Sequence, residues 1–250
     1  GLTGSVTHLM DDLHREKQGV RATAIRSLGK IGDRRASELF IQVLLDEDPQ
    51  VRAAAARSLG EIHSGENAPT ALIEALGDTD AGVRGEVVRA LGIINDPSAL
   101  KPLIEAVSDE EESVRAAAAR SLGKLNDPAA VSALIPLLKE ENPTIRQRAA
   151  VALEIIGDRR VVPIFLEALD DSHKGVRVAA ATALGKISDH KGVIPLIKAL
   201  TDKDSMVRKS AVESLAQLAD RRAVIPIGRR LEDESRFVRQ TAVAALARIG

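Results

Sequence analysis

Arginine is the residue whose spacing in this chain could do chemistry. Arg26, Arg57, Arg89 and Arg120 recur at intervals of 31, 32 and 31 residues, and the same register then carries Val151, Thr182, Glu213 and Ala244. A row of guanidinium forks on one face suits carboxylate or phosphate, because each fork offers paired N–H donors to two oxygens. Lys30 and Lys124 lie one helical turn further on. Two readings stand side by side. One is a basic stripe for acidic peptide, phosphate or nucleic acid. The other is a solvated helix face with local ion pairs, since Arg57 lies four residues before Glu61 and Arg89 three after Glu86.

Catalysis has fewer footholds. The chain has no cysteine, which excludes disulfides, thiolate nucleophiles and cysteine-rich metal sites. His8, His14, His63, His173 and His190 stand singly, and there is no His-Glu-x-x-His, no Gly-x-Ser-x-Gly and no glycine-rich phosphate loop. The expectation is no catalytic residue, no metal and no cofactor, with a site assembled across repeats left open.

The elements that must position the arginines are set by a second arginine series. Val20-Arg21, Val51-Arg52, Val83-Arg84, Val114-Arg115, Ile145-Arg146, Val176-Arg177, Val207-Arg208 and Val238-Arg239 mark a period of 31 residues with one step of 32. A unit of that size cannot bury an apolar face alone, so neighbours must stack and share one core. The borders fall near 1–31, 32–62, 63–94, 95–125, 126–156, 157–187, 188–218 and 219–250, giving one all-α solenoid over 1–250 in place of separate globular domains. The extra residue of the 63–94 unit is read as a lengthened loop at 63–69.

Within a unit, Asp96-Pro97 is an N-cap followed by proline at the first helical position, and Asp127-Pro128 repeats it. The first helix, near 97–107, then buries Leu100, Leu103, Ile104 and Val107 at helical spacing. Pro102, Pro195 and Pro226 predict a kink about one turn into their helices. A second cap, as in Asp48-Pro49 and Asn142-Pro143, starts the second helix about two residues before each Val-Arg. Val51, Ala55, Leu59 and Ile62 form its buried stripe.

An acid lies six positions before seven of the eight Val-Arg arginines: Asp46, Asp78, Asp109, Glu140, Asp171, Asp202 and Asp233. This predicts a structural ladder in which each fork bonds carboxylates or loop carbonyls between helices, and excludes these arginines from a ligand site. The position before each Val is mostly small or polar, as in Gln50, Ser113 and Thr144, but becomes Met206 and Phe237 in the last two units. Exposed methionine and aromatic side chains serve as interface anchors; end-of-stack packing is the competing explanation. Phe40 and Phe165 share a column with Leu72, Leu103, Leu134 and Leu196 and belong to the core. At the ends, His8 and Asp12 read as a polar cap where the next unit has Leu39 and Val43. The last helix, with Val243, Leu246 and Ile249, has no such cap and is open to self-association.

Of the 250 residues 44% are hydrophobic but only 1% aromatic, so the core is built from Ala, Leu, Ile and Val. Residues 1–125 hold 15 Lys and Arg against 20 Asp and Glu, and residues 126–250 hold 20 against 16. Neither half has the basic excess of a generic nucleic-acid binder, and aromatic platforms for bases are missing. No apolar run of membrane-spanning length and no leader occurs, so the expectation is a cytoplasmic chain without membrane contact. Gly1 and the opening and closing at repeat borders suggest a piece of something longer.

Val193-Ile194-Pro195-Leu196-Ile197-Lys198-Ala199-Leu200 and the run from Val114 to Leu125 carry a family resemblance. The whole chain resembles the HEAT family, and its short units are similar to the phycobilisome-lyase (PBS lyase) type of HEAT-like repeat. The pattern is also close to the consensus of artificial repeat libraries, while the variation between units favours a natural origin. The resemblance implies a right-handed α-solenoid of about eight stacked two-helix repeats, with the second helices lining a concave face. It implies a non-catalytic scaffold whose contact candidates are Arg26, Arg57, Arg89, Arg120, Gln147, Arg148, Met206, Lys209, Phe237 and Gln240. The partner would be a protein or peptide on the concave surface. A bilin-lyase-like subunit is an alternative implied by the family, and anion or nucleic-acid binding by the Arg column is another. Deoxyhypusine hydroxylase is related but holds iron through His-Glu pairs. No histidine here is followed by Glu, so that chemistry does not carry over.

Overall fold

A computed structural model describes residues 18–62 and 67–249. The expectations on His8, Asp12, His14, His63 and most of the lengthened loop lie outside the described residues. Two compact units divide the chain, Gly1–Leu125 and Asn126–Gly250, and the division coincides with an expected repeat border. The first contains α1 (Gln18–Ile31), α2 (Ser37–Val43), α3 (Pro49–Glu61), α4 (Ala68–Glu74), α5 (Ala81–Ile94), α6 (Leu100–Ala106) and α7 (Glu112–Leu125). The second contains α8 (Val131–Leu134), α9 (Pro143–Ile156), α10 (Val162–Ala168), α11 (Lys174–Ile187), α12 (Val193–Ala199), α13 (Ser205–Leu218), α14 (Val224–Gly228) and α15 (Arg236–Ile249). There is no strand among the described residues, and the protein is an α-solenoid.

The odd-numbered helices carry the Val-Arg pairs and pack side by side, α1 to α3 to α5 to α7 in one unit and α9 to α11 to α13 to α15 in the other. Each begins two residues before its Val, and at α3, α5, α9 and α13 an Asp or Asn side chain caps the start. Asp48 accepts from the Gln50 N–H at 2.7 Å, and Asn142 from that of Thr144 at 2.9 Å. The shorter, even-numbered helices pack on the odd helix that follows them. The expected break within the shorter helices is a change of helix type: a 3-10 turn at Pro97–Ala99 precedes α6, with Pro102 in the first α turn, where a missing N–H costs least. Leu103 is fully buried and Val107 nearly so, whereas Leu100 and Ile104 are only half-buried because they flank the contact line.

Val51, Ala55 and Leu59 are fully buried and Ile62 nearly so; Phe40, Phe165 and the four leucines of their column are fully buried. Small residues set how closely the long helices approach. The Ser121 hydroxyl of α7 donates to the Val88 carbonyl of α5 at 2.9 Å, and Ser214 of α13 donates to Ala181 of α11 at 2.8 Å. Glycine faces each serine: a Cβ on Gly92 would lie 2.9 Å from the Ser121 Cα, and one on Gly185 would lie 2.7 Å from the Ser214 Cα. Backbone therefore rests almost on backbone, and the small side chains are the reason. No helix among the described residues is long and apolar enough to cross a membrane.

Candidate functional site

The Val-Arg arginines bond carboxylates and loop carbonyls between neighbouring repeats. Asp46, Asp78, Asp109, Asp171, Asp202 and Asp233 each offer the backbone carbonyl to the arginine six residues on and the carboxylate to the arginine of the repeat before. Arg177 Nη1 donates to the Asp171 and Ser172 carbonyls at 2.9 and 3.1 Å, while its Nε and Nη2 grip Asp202 at 2.7 and 2.9 Å. Arg52 holds Asp78, Arg84 holds Asp109, Arg146 holds Asp171 and Arg208 holds Asp233 in the same way. Each carboxylate also accepts the N–H two residues on, as Asp233 does from Ser235 at 2.9 Å. Burial pushes the Asp233 carboxyl up, but bonds from Arg208 and Ser235 outweigh that and hold it below the usual range. The ladder links successive repeats of a unit through paired charges and so acts as a spacer between them.

What the spacer presents is one stripe per long helix, at the position before Val and then three, seven and eleven residues later. In the first unit this stripe carries the arginine column, and all four arginines are exposed. Arg26 donates to the Thr23 hydroxyl at 3.2 Å. Arg57 does not pair with Glu61 as its spacing within α3 predicts. Its partner is Glu86 on α5, at 2.5 Å, because the close approach of α3 and α5 sets the two stripes edge to edge. Arg89 reaches the same carboxylate from its own helix at 3.0 Å. Burial raises the Glu86 carboxyl, yet the two guanidinium bonds overcome this and hold it below the ordinary glutamate range. Arg26, Gln50, Arg57 and Glu86 border a hollow of about 240 Å³. Within this unit Arg120 has no hydrogen-bond or ion-pair partner among the described residues.

The stripe of the second unit is different in kind. Phe237 is 67% exposed on α15 and Met206 50% exposed on α13, at matching register. Along the same stripes lie Lys209, Glu213 and Gln217 on α13 and Gln240, Ala244 and Arg248 on α15. Thr182, Glu213, Gln217, Gln240, Ala244 and Arg248 line a groove of about 600 Å³ between these helices. Lys209 pairs with Glu213 at 2.5 Å, which neutralises the only acid in the groove. Arg148 is exposed, and Gln147 lies over the backbone of Gly175, where a Cβ would meet its side-chain amide. Two exposed apolar residues of the α9 stripe, Val151 and Ile155, belong to this surface but escape a search for charge and aromatics. Their register, seven and eleven residues after Thr144, is the signal that finds them.

The two described histidines do not converge. His173 stands at the N-cap position of α11 without a side-chain cap bond and His190 follows the helix's end, so the helix, roughly 21 Å long at 1.5 Å per residue, separates them. His173 Nδ1 is buried without a hydrogen-bond partner, whereas His190 is exposed, 3.6 Å from Asp220. No cluster of His, Cys, Asp and Glu with the geometry of a metal site occurs among the described residues.

The model of one family, HEAT repeats, matches residues 6–84, 37–116, 69–154, 100–185, 131–216 and 193–250. Comparison with curated proteins gives no match. Among solved structures, an engineered protein is 25% identical with a TM-score of 0.67, covering 98% of this chain and 78% of its own. The Escherichia coli protein YibA is 24% identical with a TM-score of 0.73, covering 97% and 92%, a likeness of fold. The complex of CpcE and CpcF of phycocyanin lyase from Nostoc sp. PCC7120 is 27% identical with a TM-score of 0.59, covering 84% and 86%.

Proposed function

We propose that this chain, which belongs to the HEAT-repeat family, is a non-catalytic cytoplasmic scaffold that binds a protein or peptide along the concave face lined by its longer helices. The observation that supports this reading is the pair Met206 and Phe237, exposed at one register on the two helices, α13 and α15, that bound the groove. Leaving two large apolar side chains in water costs stability that a partner recovers on covering them. Gln217 and Gln240 would bond the backbone of an extended segment lying in the groove, and Arg248 would take a carboxylate. Arg26 and Arg120, which have no acid partner within the first unit, suit acidic residues of a protein partner on that unit's own stripe. Arg57 and Arg89 contribute less, being already committed to Glu86.

Affinity capture from the source cell tests this with Met206→Ser/Phe237→Ser and with Arg57→Glu/Arg89→Glu/Arg120→Glu, each verified as folded by circular dichroism. Loss of a partner from the first variant supports the groove. An unchanged partner set in both variants contradicts it.

The likeness to the Nostoc phycocyanin lyase complex favours one second reading, a bilin-lyase-like subunit that works beside another chain. Incubation with a bilin and an acceptor protein decides it by chromophore transfer. In that reading the same stripes would be the interface with the other subunit.

A further inference from the structure

Glu86 marks where the arginine column of the first unit holds an acid. Its carboxylate is gripped from two sides, by Arg57 of α3 and by Arg89 of its own helix, α5. Glu86 stands three residues after Val83, and the residues three after Val51 and Val114 are Ala54 on α3 and Ala117 on α7. By that register Ala54 falls between Arg26 and Arg57, and Ala117 between Arg89 and Arg120. The column therefore has three carboxylate positions in register and fills only the middle one from within.

The outer positions are open to an acid from outside. The hollow of about 240 Å³ described above lies at the first of them, with Arg26, Gln50, Ala54 and Arg57 on its border. At each outer position one arginine has no acid partner within the unit, Arg26 or Arg120, and the other is steadied by Glu86. The bed beside the column is also low. Four residues before each arginine stands Ala22, Ala53, Gly85 or Ala116, where the second unit has Gln147, Val178, Lys209 and Gln240. Such small residues let a partner backbone lie close to the helices.

We propose that this stripe takes an extended protein segment with two carboxylates six residues apart, one seated over Ala54 and one over Ala117, and no acid between them. The proposal rests on the reading of the long-helix stripes as a binding face and adds the pattern of the ligand. Packed helices lie about 8–10 Å apart, so two positions separated by two helix steps are about 16–20 Å apart. An extended chain rises about 3.3 Å per residue and points successive side chains to opposite faces. Six residues thus span about 20 Å and return the second carboxylate to the face of the first, whereas five or seven turn it away. Residues midway on that face meet the carboxylate of Glu86, which repels an acid. A nucleic-acid strand is the wrong occupant, since it cannot omit the phosphates opposite Glu86.

The test titrates the whole chain at low salt with end-blocked, fluorescent threonine nonapeptides, read by anisotropy. One carries Glu at peptide positions 2 and 8, its isomer at positions 2 and 7. The first should bind about fivefold more tightly, because one exposed ion pair, worth up to about that factor, is lost in the isomer. Ala54→Glu, which fills an outer position from within, and Arg120→Gln, which removes an arginine from the other, should each abolish the preference; circular dichroism verifies their folding. A further Glu at peptide position 4 should not tighten binding to the native chain but should tighten binding to Glu86→Gln several-fold. Equal binding of the two isomers, binding of neither, or a preference that survives Arg120→Gln would overturn the proposal. So would a third carboxylate that helps the native chain as much as Glu86→Gln, or a single-stranded oligonucleotide that binds more tightly than either peptide. These titrations read the first unit alone, so they can fail while Met206→Ser/Phe237→Ser still loses a partner in the cell, and the reverse.

Discussion

Arg208 and Asp233 are joined twice, through Nε and Nη2 at 2.9 and 2.8 Å, and neither side chain is more than 6% exposed. A third bond, from Arg208 Nη1 to the Asp202 carbonyl at 2.9 Å, ties the same guanidinium to its own turn. Breaking such a pair from one side leaves the buried Arg208 guanidinium with only the exposed Glu234 carboxylate, 3.0 Å away, against its charge. Asp233→Ala should therefore cost about 3–5 kcal/mol. Arg222→Ala removes an exposed pair of similar length that solvent screens, and should cost far less. Urea unfolding of the two variants checks the contrast, and similar losses would contradict a buried ladder.

The ladder also sets the acid limit of stability. Burial is the largest influence on the carboxyls of Asp78, Asp171, Asp202 and Asp233 and raises them, but arginine bonds, backbone N–H bonds and arginine charge together leave them lowered; at Asp109 the arginine bond is the largest influence. A carboxyl depressed in the folded state stabilises fully above its unfolded pKa and loses that contribution as pH falls through the folded value. The melting temperature should be nearly flat from about pH 8 to 5 and fall steeply below about pH 4. Asp233→Asn should melt lower at neutral pH and show a shallower acid fall.

Two glycines of α5 should respond to alanine with opposite signs. At Gly85 a Cβ meets only the far end of the Arg89 side chain, at 3.3 Å, so Gly85→Ala should stabilise by roughly 0.5–1 kcal/mol. At Gly92 it meets the Ser121 backbone, so the overpacking cost of about 1–3 kcal/mol exceeds that gain. Thermal melts of the two variants decide this, and stabilisation by both would show that α5 and α7 can separate freely.

Glu86 governs how much charge the first unit offers. With Glu86→Gln, Arg57 and Arg89 lose their shared carboxylate, and a polyglutamate probe should bind several-fold more tightly at low salt. The gain should disappear near 1 M salt, where charges are screened beyond about 3 Å. Titration by fluorescence anisotropy reads it. Unchanged affinity would remove the Arg column as an anion-recognising surface.

Helix starts were legible in the sequence because they are local: an Asp or Asn cap two residues before a fixed point needs no partner beyond its own turn. The core columns were legible for a related reason, since a 31-residue period repeats every side-chain environment. Contacts between repeats were much less so. Arg57 offered a satisfactory partner four residues away, yet the carboxylate that takes it is 29 residues on. The serine and glycine contacts lay in the Ala-Leu-Gly, Ser-Leu-Gly and Ser-Leu-Ala runs, but only the closeness of α5 to α7 and of α11 to α13 gives them a role. Met206 and Phe237 stood out by type in a polar column, whereas Val151 and Ile155 became part of the surface only when their exposure was known.

The claim that the long-helix stripe of the second unit is the binding surface is tested most directly by photocrosslinking in the source cell. A benzophenone amino acid is placed at position 237 on α15 or at position 225 on α14, where the native Phe237 and Ile225 are comparably exposed but belong to different helix layers. The account predicts a discrete adduct from position 237 that Met206→Ser weakens, and none from position 225. An adduct from position 225 alone would contradict it.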